Sequence, residues 1–351
     1  MPKRKLFTES EEDEEEYIDI EPETKKPKKT KKSRPIIKFE DCPPVNSLKD
    51  LIDIGNKKKF YKNIDIMMLW NILPHLEELN NMIGMKSLKE SIFYQVIYYL
   101  QNMHLKNKNE EYLHTIIMGN PGSGKTSAAK IIGLIYKNIG ILSNKGSFKI
   151  AGRADLVGEY LGSTAVKTTK LLNSCIGGVL FIDEVYSLGA GQKDKDSFSK
   201  EAVDTLCGFL SEHKNDFCCI VAGYEKEVKE CFLSINPGLE RRFPWVHKID
   251  DYTSEDLAEI FTKMIADIKW ELNVEKKDLI EFFKTNKEYF KNAGGDCETF
   301  ISKIKMVHSK RVFTLDKSLK FKININDVTE ALNIIKKYKL PTEKIFLDYY
   351  T

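Results

Sequence analysis

The sequence predicts an α/β fold: a parallel five-stranded sheet sandwiched by helices, followed by a small all-helical domain. Three observations predict it. Short apolar runs alternate with helix-compatible stretches over short links, the pattern of a parallel sheet covered on both faces. The stretch Gly119-Asn120-Pro121-Gly122-Ser123-Gly124-Lys125-Thr126 fits G-x-x-x-x-G-K-[ST] without mismatch. After Asp250 the apolar runs largely stop and capped, amphipathic helices take over.

Residues 1–40 are charged, punctuated by proline and poor in aliphatics, so they cannot offset the entropy of ordering and are expected to be a disordered tail. Two opposed charge blocks lie in it, ESEEDEEE from Glu9 to Glu16 and KKPKKTKKSR from Lys25 to Arg34. They nearly cancel, so the net charge of +3 says little about partners. The basic block has the composition of a nuclear-localisation signal or of a nonspecific nucleic-acid contact, and equally that of a solvated tail. Residues 41–80 carry apolar residues at helical spacing, with breaks expected near Gly55 and Pro74. This helical extension reads as either a packing arm or a docking element. A helix from about Ser87 to Met103 follows, and residues 81–249 form the expected nucleotide-binding domain.

Its five strands are read at His114–Met118, Ser147–Ala151, Gly178–Glu184, Phe217–Tyr224 and Trp245–Ile249. Beyond them Thr253-Ser254-Glu255-Asp256 caps a helix through Met264, and Leu279–Phe290, Glu298–His308 and Asn326–Tyr338 read as three more. Residues 250–341 thus form the second domain, and 342–351 a C-terminal tail.

Chemistry enters at the glycine loop. Strand, loop and helix in that order let backbone N–H groups turn inward around phosphates, with the positive end of the helix dipole behind them. Gly119 through Ser127 would cradle a nucleoside triphosphate. Lys125 would reach its β- and γ-phosphates, and the Thr126 hydroxyl would hold Mg²⁺. The run Val179-Leu180-Phe181-Ile182 then ends in Asp183 and Glu184, two acids at the carboxyl end of a buried strand, where ligands of open α/β sheets bind. Asp183 would hold Mg²⁺ through water, and Glu184 would orient and polarise the attacking water.

Composition excludes other classes. The seven cysteines are odd in number, contain no C-x-x-C and have no zinc-like spacing, so they read as core thiols of a reduced intracellular protein. No stretch approaches the roughly 18 apolar residues of a membrane span, and the charged N-terminus does not resemble a signal peptide. A soluble, cytoplasmic protein with no membrane partner is expected, nuclear targeting resting on Lys25–Arg34 alone.

With ADLVGEYLGSTAVKT (Ala154–Thr168), GGVLFIDEVYSL (Gly177–Leu188), AGY (Ala222–Tyr224) and NPGLERRF (Asn236–Phe243) in this order, the chain resembles an AAA+ ATPase. More narrowly it is similar to the CbbX and stage V sporulation protein K branch, whose best-known member remodels inhibited rubisco; the likeness spans about residues 81–340. The resemblance implies a homo-oligomeric ring, usually a hexamer, with ATP at each subunit junction. It places Ile83-Gly84 near the adenine, and Tyr160-Leu161-Gly162 at the pore loop that grips a threaded protein client. Arg242 falls at the arginine finger, with Arg241 an alternative on chemistry. Two positions depart from the wider family. Tyr224 stands where many members carry a sensor asparagine, and the helix entered at Asn292-Ala293-Gly294-Gly295 has no arginine at the usual sensor position. The expected activity is ATP hydrolysis that remodels or threads client proteins. The alternative is a nucleic-acid-directed ATPase of helicase or clamp-loader type, whose specific support is the basic tail.

Overall fold

The computed structural model describes residues 38–106, 112–143, 147–160, 162–189 and 197–338. The charge blocks of the tail, Leu161 and the C-terminal tail lie outside the described residues. Five strands form one parallel sheet: β1 (Thr115–Met118), β2 (Phe148–Ala151), β3 (Val179–Ile182), β4 (Cys218–Gly223) and β5 (Trp245–Lys248). Their spatial order is β2-β3-β4-β1-β5. That order decides the site. β4 stands between β1 and β3, so the glycine loop after β1 faces the acids after β3 across the end of β4.

Successive side chains of a strand point to opposite faces, and both faces here are apolar, as a doubly covered parallel sheet requires. Ile117, Phe181 and Ile220 join one core with helices α1 (Leu48–Asn56), α2 (Ile66–Asn80), α3 (Lys86–Leu100) and α4 (Lys125–Asn138). Ile116, Leu180 and Val221 join another with α5 (Ser163–Asn173) and α6 (Ser197–Glu212). All seven cysteines are free thiols. Among the described residues no helix is long and apolar enough to cross a membrane.

The extension before residue 81 is a packing arm. Leu69, Ile72, Leu76 and Leu79 on α2 are fully buried and share the core of the sheet. The indole N–H of Trp70 donates to the Gly55 carbonyl at 3.1 Å, tying α2 to the end of α1. The break expected at Pro74 does not occur: α2 runs through it. An interior proline costs about 3 kcal/mol, whereas each buried aliphatic side chain returns about 1.5–3 kcal/mol, so four of them on one face outweigh the lost hydrogen bond. Order also begins earlier than expected, because Phe39–Glu40 pairs in parallel with Phe60–Tyr61.

Beyond the sheet lie α7 (Ser254–Asp267), α8 (Lys276–Thr285), α9 (Ala293–Val312) and α10 (Ile325–Tyr338). The Thr253 cap forms as read, its hydroxyl accepting from Asp256 N–H at 3.2 Å. These helices share a separate core of Phe261, Phe283, Phe290, Phe300 and Val328. The region is not all-helical, however: Glu271–Asn273 and Lys322–Asn324 form a short parallel pair. Nor does one helix span Leu279–Phe290; α8 stops at Thr285, where Asn286 turns its side-chain amide back onto the Phe282 carbonyl at 2.8 Å. Arg311, one of the few cations on α9, is committed locally, donating to the buried Asp327 carboxylate at 2.8 Å and to the Lys322 carbonyl at 3.0 Å.

Candidate functional site

The loop after β1 depends on glycine at two positions. Gly122 and Gly124 have φ of +66° and +83°, the left-handed region that side chains disfavour. A Cβ on Gly122 would also collide with the Asn292 carbonyl oxygen, because the turn before α9 lies directly on the loop and the Gly294 N–H donates to the Gly122 carbonyl at 3.2 Å. Lys125 opens α4 and folds back over the loop. Its ammonium donates to the Gly119 and Asn120 carbonyls at 3.0 and 2.9 Å. Burial lowers its pKa, while Asp183 and Glu184 pull it back up.

Sheet order brings the acids to this lysine. The Thr126 hydroxyl donates to Asp183 Oδ2 at 2.7 Å. Asp183 Oδ1 accepts from the Glu184 N–H at 2.9 Å, and Glu184, at φ 48°, turns its exposed side chain out of the strand line. Tyr224, at the end of the intervening β4, lies under Lys125, whose Nζ stands 4.6 Å from the ring centroid. Ammonium, hydroxyl and two carboxylates therefore converge beside inward-turning amides. Such a set can bind a polyphosphate and its counter-ion and hold a water for in-line attack.

A cavity of about 700 Å³ opens on the other side of the loop. Ile83 lines it, with Met82, Gly122, Gly124, Ser127 and Met264. Gly84, at φ +66°, presses against Tyr252, where a Cβ would fall 2.9 Å from the ring. An apolar slot bounded by polar groups fits a base and its sugar.

The remaining sequence candidates stand apart from this cluster. Tyr160 is 75% exposed on the loop between β2 and α5, its backbone fixed by Ser163, whose hydroxyl donates to the Tyr160 carbonyl at 2.6 Å. Arg242 is half-buried, donating to Ser211 Oγ at 2.6 Å and to the Gly238 carbonyl at 2.7 Å, whereas Arg241 is exposed.

Residues 115–244 match the family model described as "ATPase family associated with various cellular activities (AAA)". Over 306 residues the chain is 40% identical to the putative cfxQ-like protein R730 of Acanthamoeba polyphaga mimivirus, covering 85% of this chain and 74% of that one. The chain belongs to the AAA ATPases. It binds and hydrolyses ATP. Stage V sporulation protein K of Bacillus subtilis is 41% identical over 210 residues, 58% of this chain and 64% of that one. Protein CbbX of Cereibacter sphaeroides is 32% identical over 249 residues, 68% and 79%. The AAA domain of FIGL-1, solved with ADP, shares the fold at a TM-score of 0.54 and 16% identity, over 77% of this chain and 87% of that one.

Three features of this AAA ATPase site escape the sequence. The Tyr252 hydroxyl donates to the Ser123 carbonyl at 2.9 Å, and burial raises its pKa to about 12. Lys263 on α7 reaches the Asn81 carbonyl at 3.3 Å at the mouth of the base-side cavity. Tyr186, two residues past Glu184, stacks on Tyr224. None carries a local signal; each depends on which element packs beside which.

Proposed function

We propose that this AAA ATPase works as a ring of identical subunits that spends ATP hydrolysis on pulling a protein client. The observation that carries the hydrolytic half is the convergence of Lys125, Thr126, Asp183 and Glu184 at the ends of β1 and β3. In this reading loop amides and the α4 dipole hold the triphosphate. Its entry draws Lys125 off the Gly119 and Asn120 carbonyls onto phosphate oxygens. Thr126 Oγ1 and Asp183 Oδ2, hard oxygen donors 2.7 Å apart, fit the holding of Mg²⁺. The bound ion would neutralise charge on the phosphates. Glu184 orients the attacking water and accepts its proton.

The Arg241-Arg242 pair, at the end of the short helix Gly238–Arg242 rather than on a loop, supplies a cation to the neighbouring subunit's site in this proposal. Its exposure favours Arg241 as the group that reaches out, since Arg242 must first release Ser211 and Gly238. Tyr160 supplies the grip: an exposed aromatic on a loop can press on any backbone without reading sequence. The C-terminal helices act as a lid over the loop they touch at Gly122. The named relatives support this reading at the level of the branch; the client is a protein of unassigned identity.

Glu184→Gln tests it. The variant should bind ATP with near wild-type affinity, lose hydrolysis by at least about a hundredfold, and sediment with ATP as a closed oligomer that retains client. Unchanged turnover would sink the role given to Glu184, and a monomer at every ATP concentration would sink the ring.

A further inference from the structure

β2 and β3 pair in register, Ala151 opposite Ile182, and the Asp183 N–H donates to the Ala151 carbonyl at 3.2 Å. Past this point the two chains part. One enters the acids and the short turn Val185–Leu188; the other enters the helical turn Arg153–Leu156 and leads on to Tyr160. Arg153 bridges them. Its half-buried guanidinium donates through Nη1 to the Ser187 carbonyl at 2.8 Å and to Oγ of Ser199, a buried residue in the first turn of α6. The Ser187 N–H in turn donates to the Glu184 carbonyl at 2.8 Å, closing the turn that Glu184 enters at φ 48°. A left-handed glutamate persists only where its surroundings hold it there.

The other end of Arg153 is tied as firmly. Asp155 Oδ2 accepts from the Gly152 N–H at 2.8 Å, and the hydroxyl of the buried Thr168 on α5 donates to the Leu156 carbonyl at 2.9 Å. Thr164 Oγ1 accepts from the Gly158 N–H at 3.0 Å, and Ser163 Oγ from the Tyr160 N–H at 3.1 Å. The stretch from Arg153 to Tyr160 and the start of α5 therefore form one hydrogen-bonded body. Tyr160 is its exposed tip and Arg153 its inner end.

We propose that Arg153 is a positioning residue for Glu184 and the relay through which the state of the nucleotide reaches Tyr160. The inference rests on the reading of Glu184 as the residue that orients water. The bond from Arg153 to Ser187 fixes the turn, and with it the direction in which Glu184 leaves the strand. A charged donor on a main-chain carbonyl is the stronger kind of hydrogen bond, so it suits this task. A shift of Glu184 toward or away from the phosphates moves the Ser187 carbonyl. Arg153 carries that displacement into the body that ends in Tyr160.

The test compares Arg153→Gln, Arg153→Lys and Glu184→Gln in the full chain. Steady-state hydrolysis gives kcat and KM, and titration with a fluorescent ATP analogue gives affinity. Deuterium exchange is read at the Gly158 and Tyr160 amides with ADP and with the non-hydrolysable analogue AMP-PNP. Arg153→Gln should lower kcat about tenfold, the size of one hydrogen bond to a charged group, with affinity within about twofold. In wild type the two amides should exchange at different rates with the two nucleotides, and in Arg153→Gln that difference should vanish. A merely structural arginine would speed exchange in both states and leave the difference standing. Arg153→Lys keeps a cation that can reach one of the two acceptors, so it should recover part of kcat and part of the difference; it carries the test if Arg153→Gln does not fold. Wild-type kcat in the Arg153 variants, a loss confined to ATP affinity, or an undiminished difference in exchange overturns the inference. Failure of the reading beneath it looks different: Glu184→Gln would then hydrolyse ATP normally.

Discussion

A methyl group on Gly122 would meet two obstacles, a left-handed backbone and the Asn292 carbonyl oxygen. Non-glycine residues in strained backbone regions cost about 1–3 kcal/mol, and here the turn before α9 must also retreat. Gly122→Ala should therefore lower Tm and weaken ATP binding by at least about tenfold, measured by thermal melting and nucleotide titration. Gly208→Ala is the control. That glycine is exposed on α6, and a Cβ there meets nothing within 4 Å, so the substitution should raise stability through helix propensity, by roughly 0.5–1 kcal/mol. Equal melting of the two variants would contradict the argument. At this scale the phosphate loop and the two acids were legible because each has a fixed local form: glycines at set spacing, and a buried strand ending in charge. Tyr252 and Tyr186 were not, since a tyrosine in a loop looks the same whether it faces water or a neighbour's backbone.

At the scale of elements, two buried histidines tie the sheet to pH. His114, just before β1, accepts from the Cys219 N–H at Nδ1, 3.1 Å away, and its Nε2–H faces the Leu210 carbonyl at 3.2 Å. The first contact requires a neutral ring. His247, on β5, is buried, and its Nε2 has no hydrogen-bond partner among the described residues. Burial lowers the pKa of each from 6.5 to about 4. In that window the unfolded chain binds protons that the folded chain refuses, so stability is present above about pH 6.5 and is lost as pH falls toward 4. At 1.36 kcal/mol per unit the loss is about 3 kcal/mol for each histidine. Urea midpoints at pH 7, 5.5 and 4.5 should fall in step, and a flat series would contradict the prediction.

The sheet itself was readable because its central strands are buried, mostly apolar runs between helices, while the edge strands β2 and β5 carry Lys149 and Lys248. Pro74 misled, since a proline's local cost is visible in sequence, whereas the full burial of the four aliphatic anchors that offsets it is not. The pair Glu271–Asn273 with Lys322–Asn324 was missed for another reason: three residues carry no period, and their partners are far apart in the chain.

The described residues form three cores, two flanking the sheet and one within the C-terminal helices. The extension before residue 81 belongs to the first, which settles its place in the fold; its wall of the cavity of about 700 Å³ beside the loop, through Pro74, Glu77 and Glu78, could not be foreseen from helical periodicity. The C-terminal region meets the phosphate loop through a main-chain bond, Gly294 N–H to the Gly122 carbonyl, and through two bonds made by side chains, Tyr252 to the Ser123 carbonyl and Asn120 to Asp251. In the proposed cycle this junction moves with each turnover. The Gly294 amide, bonded to Gly122, should then exchange with deuterium more slowly in Glu184→Gln holding ATP than in wild type holding ADP. Equal exchange in the two states would separate lid from loop.

That junction has a consequence for heredity as well as for motion. A message passed from carbonyl to amide is spelled in the part of the polymer that every residue shares, so drift among the surrounding side chains leaves it readable. A side chain at Gly122 would erase it, because its first carbon meets the Asn292 carbonyl oxygen.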